Sequence, residues 1–414
     1  MCLRGDRTGR RTGGLIAHAM TKSGPHSRAL IVGGGIGGFT TALALARTGM
    51  SATVLERSAF ADETGAGIQL GPNATRALAQ LGVLDAIAAT AFSPDVLRLF
   101  DGLSGTRLAT VPLGQIAEER YSAPYLTLHR ADLHASLLAA CRADGAIELR
   151  SGFDATEAET LAEPVMVRDA DGTQVEGSIL IAADGLWSRL RDRIVPDADL
   201  RFSGATAWRA LLPRSEVPAP FADPEVGLWL GPHAHLVHYP VRRGKDLNIV
   251  AVVEGGSAKQ GWSRRAEPDL LLPSFQRWAR PAKTLLQAVE TWRCWSLFQL
   301  KPLPRWTDGR MALLGDAAHP VLPYLAQGAA LAIEDAITLA ASLKASGGDP
   351  ASAFPRYQSL RMDRAARVQA QAARFGRIYH LRGPAAFARN FLLGRRHPES
   401  LLQSFDWLYG HANR

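Results

Sequence analysis

The sequence is poor in features that mark several common classes of protein. Of its 414 residues only three are cysteines, and Cys2, Cys141 and Cys294 lie far apart with no Cys-x-x-Cys pair. This scarcity argues against a disulfide framework or a zinc site and fits a reducing cytoplasm. No apolar run reaches the roughly 20 residues that a membrane-spanning helix needs. We therefore predict a cytoplasmic protein with no metal and no membrane contact, either monomer or homodimer.

The chain also lacks a long basic segment, although its formal net charge is +8. Four arginines and one aspartate fall within the first eleven residues, and the remaining positive charge is interspersed with acidic and apolar residues. This pattern does not predict nucleic-acid binding, and we interpret the surplus as favouring solubility and the attraction of anionic substrates. Hydrophobic content of 47% and charged content of 21% are typical of a globular protein. The length allows two domains.

What the chain does contain is a glycine-rich turn between a predicted strand and a predicted helix. An apolar run at 29–32 leads into Gly33-Gly-Gly-Ile-Gly-Gly38, which satisfies G-x-G-x-x-G, and an Ala- and Leu-rich stretch follows. In this motif Gly33 permits a tight turn, Gly35 lets the backbone approach a pyrophosphate, and Gly38 lets the helix pack closely on the strand. The free N–H groups at the start of that helix would face the phosphates.

An acidic residue follows at the spacing that a dinucleotide site requires. The next predicted strand, Ser51–Glu56, ends 18 residues after Gly38, near the expected distance of about 20. Glu56 would bond the hydroxyls of an adenosine ribose. An ordinary strand–turn–helix with flexible glycines is the alternative, but the strand, the helix and the acid together favour an adenine dinucleotide.

Two further predicted strands are each followed by an adjacent aspartate and glycine. Asp184-Gly185 follows one of them, and such a pair commonly forms only a turn, so a turn and a ligand-binding carboxylate are equally favoured. Gly315-Asp316 follows the other, and Asp316 could accept hydrogen bonds from ribityl hydroxyls. A helix beginning near Gln327 would then direct free N–H groups at the negative charge of a reduced flavin. A turn followed by a helix, with no ligand, is the simpler alternative.

These segments together resemble the single-component, FAD-dependent aromatic hydroxylases of the p-hydroxybenzoate hydroxylase fold, and their salicylate hydroxylase-like branch in particular. The resemblance runs from about residue 28 to residue 410, with the motifs in the family's order. The matching segments are 33–38, 56–57, 65–73, 128–133, 183–185, 206–210, 235–240, 315–316, 323–330, 333–336 and 405–410.

The resemblance implies an FAD-dependent monooxygenase that uses NADH, or NADPH, and O2. It would hydroxylate a small phenolic, salicylate-like acid through a flavin C4a-hydroperoxide. Asp184 and Gly185 would serve both flavin and pyridine nucleotide, Arg130 would contact the pyrophosphate, and Asp316 would hold the ribityl chain. The family's usual glycine before Gln327 is replaced by Ala326. The implied cofactor-binding residues are Gly33, Gly35, Ile36, Gly37, Gly38, Glu56, Arg57, Gln69, Arg130, Asp184, Gly185, Asp316, Gln327, Gly328 and Ala329.

We predict an α/β fold in which a Rossmann-like FAD-binding domain carries an inserted antiparallel β-sheet substrate domain and a C-terminal helical segment. The FAD-binding domain comprises 27–96, 120–196 and 305–345, and the substrate domain 97–119 and 197–304. A helical segment spans 346–414, and 1–26 is a disordered or non-native extension. Between these elements, Asn73 is expected to cap a helix at its N-terminus.

The catalytic candidates are His235 and Tyr239 in a predicted strand of the inserted sheet. Because side chains alternate along a strand, His235 and Tyr239 should lie on one face and His238 on the other. In the 3-hydroxybenzoate hydroxylases that this chain resembles, a His and a Tyr at this spacing line the substrate site. The alternative is a pair of hydrogen-bonded residues within a sheet that have no catalytic role.

The sequence leaves the substrate and some alternatives open. The similar 6-hydroxynicotinate hydroxylases tend to carry His where Gln69 stands, and the 3-hydroxybenzoate 6-hydroxylases tend to carry Gln where Pro323 stands. Pro323 suits salicylate-type enzymes, but no arginine can be assigned to a substrate carboxylate. The same fold could serve an epoxidase or tailoring oxygenase for a larger apolar substrate. A non-catalytic escort protein is the remaining alternative.

A chain beginning at Met20 is expected to fold and to bind FAD like the full chain. The reason is the abrupt change at Arg28 from an aperiodic, arginine-rich stretch to a predicted strand. The measurement is flavin absorbance per polypeptide after purification of both forms. Loss of solubility or of flavin on removal of residues 1–19 would show that the extension packs on the fold.

Overall fold

The computed structural model describes residues 28–60, 66–258 and 264–411. The predicted extension at 1–26 lies outside the described residues, as does Gly65 of the 65–73 segment. Among the described residues, no helix combines the length and apolar composition that a bilayer crossing requires.

The elements follow one another in a mixed α/β order. The strands are β1 Arg28–Val32, β2 Ser51–Glu56, β3 Gly67–Leu70, β4 Val96–Asp101, β5 Arg107–Pro112, β6 Leu126–His129, β7 Ile147–Ser151, β8 Ala155–Glu159, β9 Val165–Asp169, β10 Gln174–Gly177, β11 Ile179–Ala182, β12 Leu200–Pro213, β13 Val226–Gly231, β14 Ala234–Val241, β15 Asp246–Glu254, β16 Arg264–Ala266, β17 Trp292–Leu300, β18 Thr307–Asp308 and β19 Met311–Leu313. The helices are α1 Ile36–Arg47, α2 Pro72–Gln80, α3 Leu84–Ala88, α4 Gly114–Tyr121, α5 Arg130–Ala143, α6 Arg191–Ile194, α7 Arg280–Gln287, α8 Gly328–Ala345, α9 Pro350–Tyr379, α10 Gly383–Leu393, α11 Pro398–Gln403 and α12 Asp406–Tyr409.

A six-stranded sheet in the order β18-β19-β11-β1-β2-β7 carries the glycine-rich turn. Its strands from β19 to β7 pair in parallel. They are short apolar runs because helices cover the sheet, and the largest buried cluster of the protein includes β1, β11 and residues of α1 and α8. Parallel strands end at one edge, so the residues that follow β1, β2, β11 and β19 lie along that edge. The predicted α/β fold class is confirmed.

A second, eight-stranded sheet has the strand order β16-β17-β12-β15-β14-β13-β4-β5. Strands β4 and β5 form an antiparallel hairpin near Asp101. The sequence predicted an antiparallel sheet. The structure differs in one pair, because β13 pairs with β4 in parallel. These two strands are far apart in the chain, so no tight hairpin constrains their direction. A second apolar cluster, built around Trp208, Trp229 and Trp292, packs α7 against one face of this sheet.

Asn73 does not cap α2, contrary to the expectation from sequence. The helix starts at Pro72, which suits a first helical position because it has no N–H to satisfy, and Gly71 is the capping residue. Asn73 is fully buried inside the first turn. Its side-chain amide donates to Gln327 Oε1 at 3.0 Å and to Glu334 Oε1 at 2.6 Å. Asn73 therefore connects α2 to the beginning of α8.

A buried ionic network joins α8 to α9. Glu334 and Asp335 are both 0% exposed. Arg361 donates to Asp335 Oδ1 and to Glu334 Oε2, each at 2.7 Å, and Arg364 donates to both Glu334 oxygens at 2.6 Å. Although burial raises their pKa values, Arg361 and Arg364 hold the pKa of Glu334 at about 2, and His319 and Arg361 hold that of Asp335 at about 2. The two carboxylates therefore stay ionised inside the protein.

Removing Arg361 should destabilise the fold more than removing an exposed arginine of the same helix. Arg361→Ala leaves two buried carboxylates short of a partner, which costs about 3–5 kcal/mol in comparable sites. The free energy of unfolding, measured in urea, should fall by that amount, whereas exposed Arg356→Ala is the matched control. Because the folded pKa values lie near 2, the network's contribution in the parent protein is complete above about pH 5 and is lost as pH falls towards 2. Equal stability of the two variants would contradict this account.

Candidate active site

The glycine-rich turn leaves no room for side chains where it meets the sheet. A Cβ on Gly33 would lie 2.3 Å from the Ala183 carbonyl oxygen, and one on Gly38 would lie 1.8 Å from the Gly33 carbonyl oxygen. A Cβ on Gly35, in contrast, would have no heavy atom of the described residues within 4 Å. Gly35 precedes the first residue of α1, Ile36, so the helix start opens into free space. This is the cradle that a pyrophosphate requires.

Glu56 stands at the end of β2, beside that cradle. Its Oε2 accepts a hydrogen bond from the Gly34 N–H at 2.7 Å, and its Oε1 accepts one from the Ser58 N–H at 2.9 Å. Glu56 is half-buried and the neighbouring Arg57 is exposed. The two backbone hydrogen bonds fix the orientation of the Glu56 carboxylate beside the glycine turn.

Asp184 takes part in a turn, one of the two roles that the sequence allowed; the other was a ligand-binding carboxylate. Its Oδ2 accepts hydrogen bonds from the backbone N–H groups of Arg189 and Leu190 at 3.1 and 3.4 Å. Gly185 has a φ of +78°, which favours glycine. The other oxygen, Oδ1, is buried without a hydrogen-bond partner among the described residues, and burial raises the pKa of Asp184. The turn therefore leaves one carboxylate oxygen for a ligand.

Asp316 follows β19 and Arg130 follows β6, and the charges of the two residues interact. Burial raises the pKa of Asp316, and the charges of His319, Arg130 and Arg191 oppose that rise. Burial lowers the pKa of Arg130, and the charge of Asp316 partly restores it. Arg130 begins α5, and its backbone N–H donates to the Ala66 carbonyl at 2.8 Å. The two opposite charges are thus close enough to stabilise each other.

The start of α8 completes this edge. Ala326 has a φ of +53°, a left-handed conformation that explains why a glycine is usual at this position in the family. Gln327 is the capping residue, but its side chain is buried and bonds to Asn73, so only its backbone can face a ligand. A Cβ on Gly328 would lie 3.9 Å from Asp316 Oδ1. Gly328 and Ala329 therefore begin the helix next to Asp316.

The inserted sheet presents His235 and Tyr239 on the same face of β14, as the alternation of side chains predicts. His235 packs against Tyr324, which lies in the turn before α8, with ring centroids 5.4 Å apart. Tyr239 is hydrogen-bonded to the side chain of Gln69. Burial raises the pKa of Tyr239 to about 12, so the Tyr239 hydroxyl stays protonated. His238 lies on the opposite face against Phe221, and neither of its ring nitrogens is hydrogen-bonded to a described residue.

The structure adds Arg209, which the sequence did not identify. In the sheet register Arg209 and Val237 both lie opposite Val250, so Arg209 shares the face of His235 and Tyr239. Its guanidinium stacks over the Trp295 ring at 3.9 Å. Burial lowers the pKa of Arg209 to about 10, and its Nε has no hydrogen-bond partner in the part of the chain that the structure describes. The Thr-Ala-Trp-Arg-Ala segment was visible in the sequence, but only the register places its arginine on this face.

The residues that follow β1, β2, β11 and β19, together with the start of α8, are called the nucleotide edge below. With the adjoining sheet face they indicate a flavoprotein, and comparison with known families agrees. A family model described as the FAD binding domain matches residues 26–372. The chain belongs to this family, and it is an FAD-dependent monooxygenase of the aromatic hydroxylase class. The expected resemblance and the FAD cofactor are therefore confirmed.

Individual relatives cover almost the whole chain. It is 39% identical over 388 residues to 3-hydroxybenzoate 6-hydroxylase 1 of Aquipseudomonas alcaligenes, covering 93% of this chain and 98% of that one. A solved structure of HpxO from Klebsiella pneumoniae with FAD and uric acid is 26% identical, with a TM-score of 0.80 and coverage of 91% and 95%. A salicylate hydroxylase substrate complex is 25% identical, with a TM-score of 0.79 and coverage of 94% and 96%.

Removing the Glu56 carboxylate should weaken FAD binding. Glu56→Ala loses a charge-assisted hydrogen bond, typically about 1.5–3 kcal/mol, or roughly 10- to 100-fold in Kd. Flavin fluorescence titration of the apoprotein measures this directly. Glu157→Ala, which removes a surface carboxylate paired with Arg168, is the control and should bind FAD normally. Unchanged FAD affinity in Glu56→Ala would contradict the ribose assignment.

Proposed function

We propose that the protein hydroxylates a small phenolic aromatic acid, salicylate-like in size and charge, with NADH and O2. The observation that carries this proposal is the shared sheet face of His235, Tyr239 and Arg209. The first two are neutral hydrogen-bonding groups, and the third is a cation that no carboxylate of the described residues contacts. A phenolic acid offers the matching hydroxyl and carboxylate.

In this proposal each residue has a separate task. Arg209 holds the substrate carboxylate, since a half-buried guanidinium over an aromatic ring gains most from a bidentate anion. His235 accepts the phenolic proton, because burial and the nearby His380 lower its pKa well below the usual value and keep it neutral. Tyr239 donates a hydrogen bond and orients the ring. Packing of this face against Tyr324 restricts water.

The residues at the sheet edge fit FAD, since the glycine cradle is open at Gly35 and Asp184 Oδ1 has no partner among the described residues. Gly33 to Gly38, Glu56, Arg57 and Arg130 would hold its adenosine diphosphate part, and Gln69, Asp184, Gly185, Asp316 and the backbone at 327–329 its flavin part. Bound FAD would take hydride from the reduced nucleotide and deliver one oxygen atom from O2. We also propose the domain division predicted from sequence, with the inserted sheet as the substrate domain, and a cytoplasmic location.

A panel of aromatic acids tests the function. NADH oxidation by the FAD-loaded enzyme should be stimulated by 3-hydroxybenzoate, salicylate or a related phenolic acid, with a hydroxylated product. The corresponding carboxamides should bind more weakly because they lack the charge that Arg209 recognises. Arg209→Met should remove the preference for the acid over the amide. If no phenolic acid stimulates the enzyme and a larger neutral compound does, the proposal is wrong.

Tyr239→Phe and His235→Ala should uncouple the reaction. Both are expected to retain FAD and substrate-stimulated NADH oxidation but to release a larger share of hydrogen peroxide, because proton transfer of this kind is typically worth about 10²–10⁴-fold in rate. The measurement is product formed per NADH consumed, with catalase to detect peroxide. His238→Ala, on the opposite face, should lower stability and leave coupling unchanged. The reverse pattern would mean that the other face of β14 meets the substrate.

A further inference from the structure

Four side chains form a continuous hydrogen-bonded chain between the sheet face and the surface. His235 Nδ1 lies 2.9 Å from His380 Nε2, and His380 Nδ1 lies 3.0 Å from Glu254 Oε1. Glu254 Oε2 lies 2.6 Å from His233 Nδ1. His235 and His380 are 3% and 6% exposed, whereas the side chains of Glu254 and His233 are 45% and 50% exposed. The chain therefore connects a buried imidazole to water.

This chain is held by the backbone of three separate elements. His380 is the capping residue at the C-terminus of α9, and its carbonyl accepts from the His233 N–H at 3.4 Å. The Glu254 N–H donates to the His233 carbonyl at 2.8 Å. Tyr324 and Tyr379 both pack against the His235 ring, each with its ring centroid 5.4 Å away, and they also contact each other. The alignment does not depend on one flexible side chain.

The hydrogen bonds fix which nitrogen of each imidazole carries a proton. An ionised Glu254 can only accept, so His380 must carry its proton on Nδ1. His380 Nε2 is then an acceptor, and His235 must donate to it from its own Nδ1. This leaves His235 Nε2 as an unprotonated acceptor. Burial raises the pKa of Glu254, but the bonds from His233 and His380 outweigh it and hold the pKa below its usual value.

We propose that His235, His380 and Glu254 form a proton relay that carries the phenolic proton of the substrate to solvent. This inference rests on the proposed function, in which His235 touches the phenol. The phenol O–H transfers its proton to His235 Nε2, His235 Nδ1–H transfers to His380 Nε2, and His380 Nδ1–H transfers to Glu254, which releases a proton to water. Both imidazoles stay neutral overall. When the product is reprotonated, the transfers run backwards and restore the starting state.

Two further charged groups lie near the relay, Arg382 at the surface and the buried Arg389. Arg382 contacts His233 Nε2 at 3.0 Å. Burial lowers the pKa of His380, Glu254 opposes this shift, and the charges of His233 and Arg389 add to it. On its buried side His235 meets the uncharged rings of Tyr324 and Tyr379. His380 and Glu254 are thus positioning residues that act through His235.

The first test is independent of any substrate. In FAD-loaded protein labelled with ¹⁵N-histidine, NMR should find His235 and His380 neutral and protonated on Nδ1. Glu254→Gln should abolish this preference in both rings, and Glu157→Gln should leave it intact. Protonation of either imidazole on Nε2 in the parent protein would overturn the relay. Because no turnover is involved, failure here is distinct from failure of the proposed function.

The second test follows the proton itself. On mixing FAD-loaded enzyme with 3-hydroxybenzoate, stopped-flow absorbance measures how fast bound phenolate forms. His380→Gly and Glu254→Gln should slow this step by about 10- to 100-fold while leaving FAD content unchanged. Added imidazole should restore the rate in His380→Gly but not in Glu254→Gln. Phenolate formation at the parent rate in both variants would overturn the relay. If the parent binds no phenolic acid at all, the proposed function fails and the NMR result alone decides the relay.

Discussion

The ionic network of Glu334 and Asp335 is the constraint on which the nucleotide edge depends. Asp335 Oδ2 accepts from the Gly315 N–H at 3.1 Å and lies 2.6 Å from His319 Nε2, so it fixes the loop after β19. Glu334 reaches Asn73 and, through it, Gln327. Two adjacent carboxylates on α8 therefore hold the elements that place Asp316 and the helix start. Their charge is balanced by Arg361 and Arg364 of α9, so the same network joins α9 to α8.

The second organising feature is the register of the inserted sheet. Strand pairing aligns Arg209, Val250 and Val237 in one row across β12, β15 and β14. His235 and Tyr239 stand on either side of Val237 in β14. A slip of one residue would turn all of these side chains to the other face, where Phe221 and Trp229 form an apolar core. The hydrophobic cluster behind the sheet therefore fixes the polar face in front of it.

Local patterns were enough to predict the elements of the nucleotide edge. Strand β2 was predicted with the bounds that the structure gives it, and the structure has no room for side chains at Gly33 and Gly38 of the predicted glycine turn. Sequence failed where a residue's role depends on a distant partner. Asn73 looked like a helix cap because caps are local, but its partners are 254 and 261 residues away. Arg209 and His380 were missed for the same reason, since no local pattern reveals which strand or helix end will face them. The short strands β8 and β10 carry charged and glycine residues that weaken their strand pattern.

Burial explains how one sheet face combines three kinds of polar group. It favours the neutral form of His235 and of Tyr239, and it acts against the charge of Arg209 without removing it, because a guanidinium with a pKa near 10 is still protonated at neutral pH. The face therefore has one positive charge beside two neutral hydrogen-bonding groups. An anionic ligand at Arg209 would relieve the cost of that burial, whereas a neutral ligand would leave it in place. In the proposed reaction the substrate thus arrives as a carboxylate with a neutral phenol, and a second negative charge develops only when the proton departs. A route that removes this proton to the surface keeps the buried imidazole neutral, which an isolated base in the same position could not do.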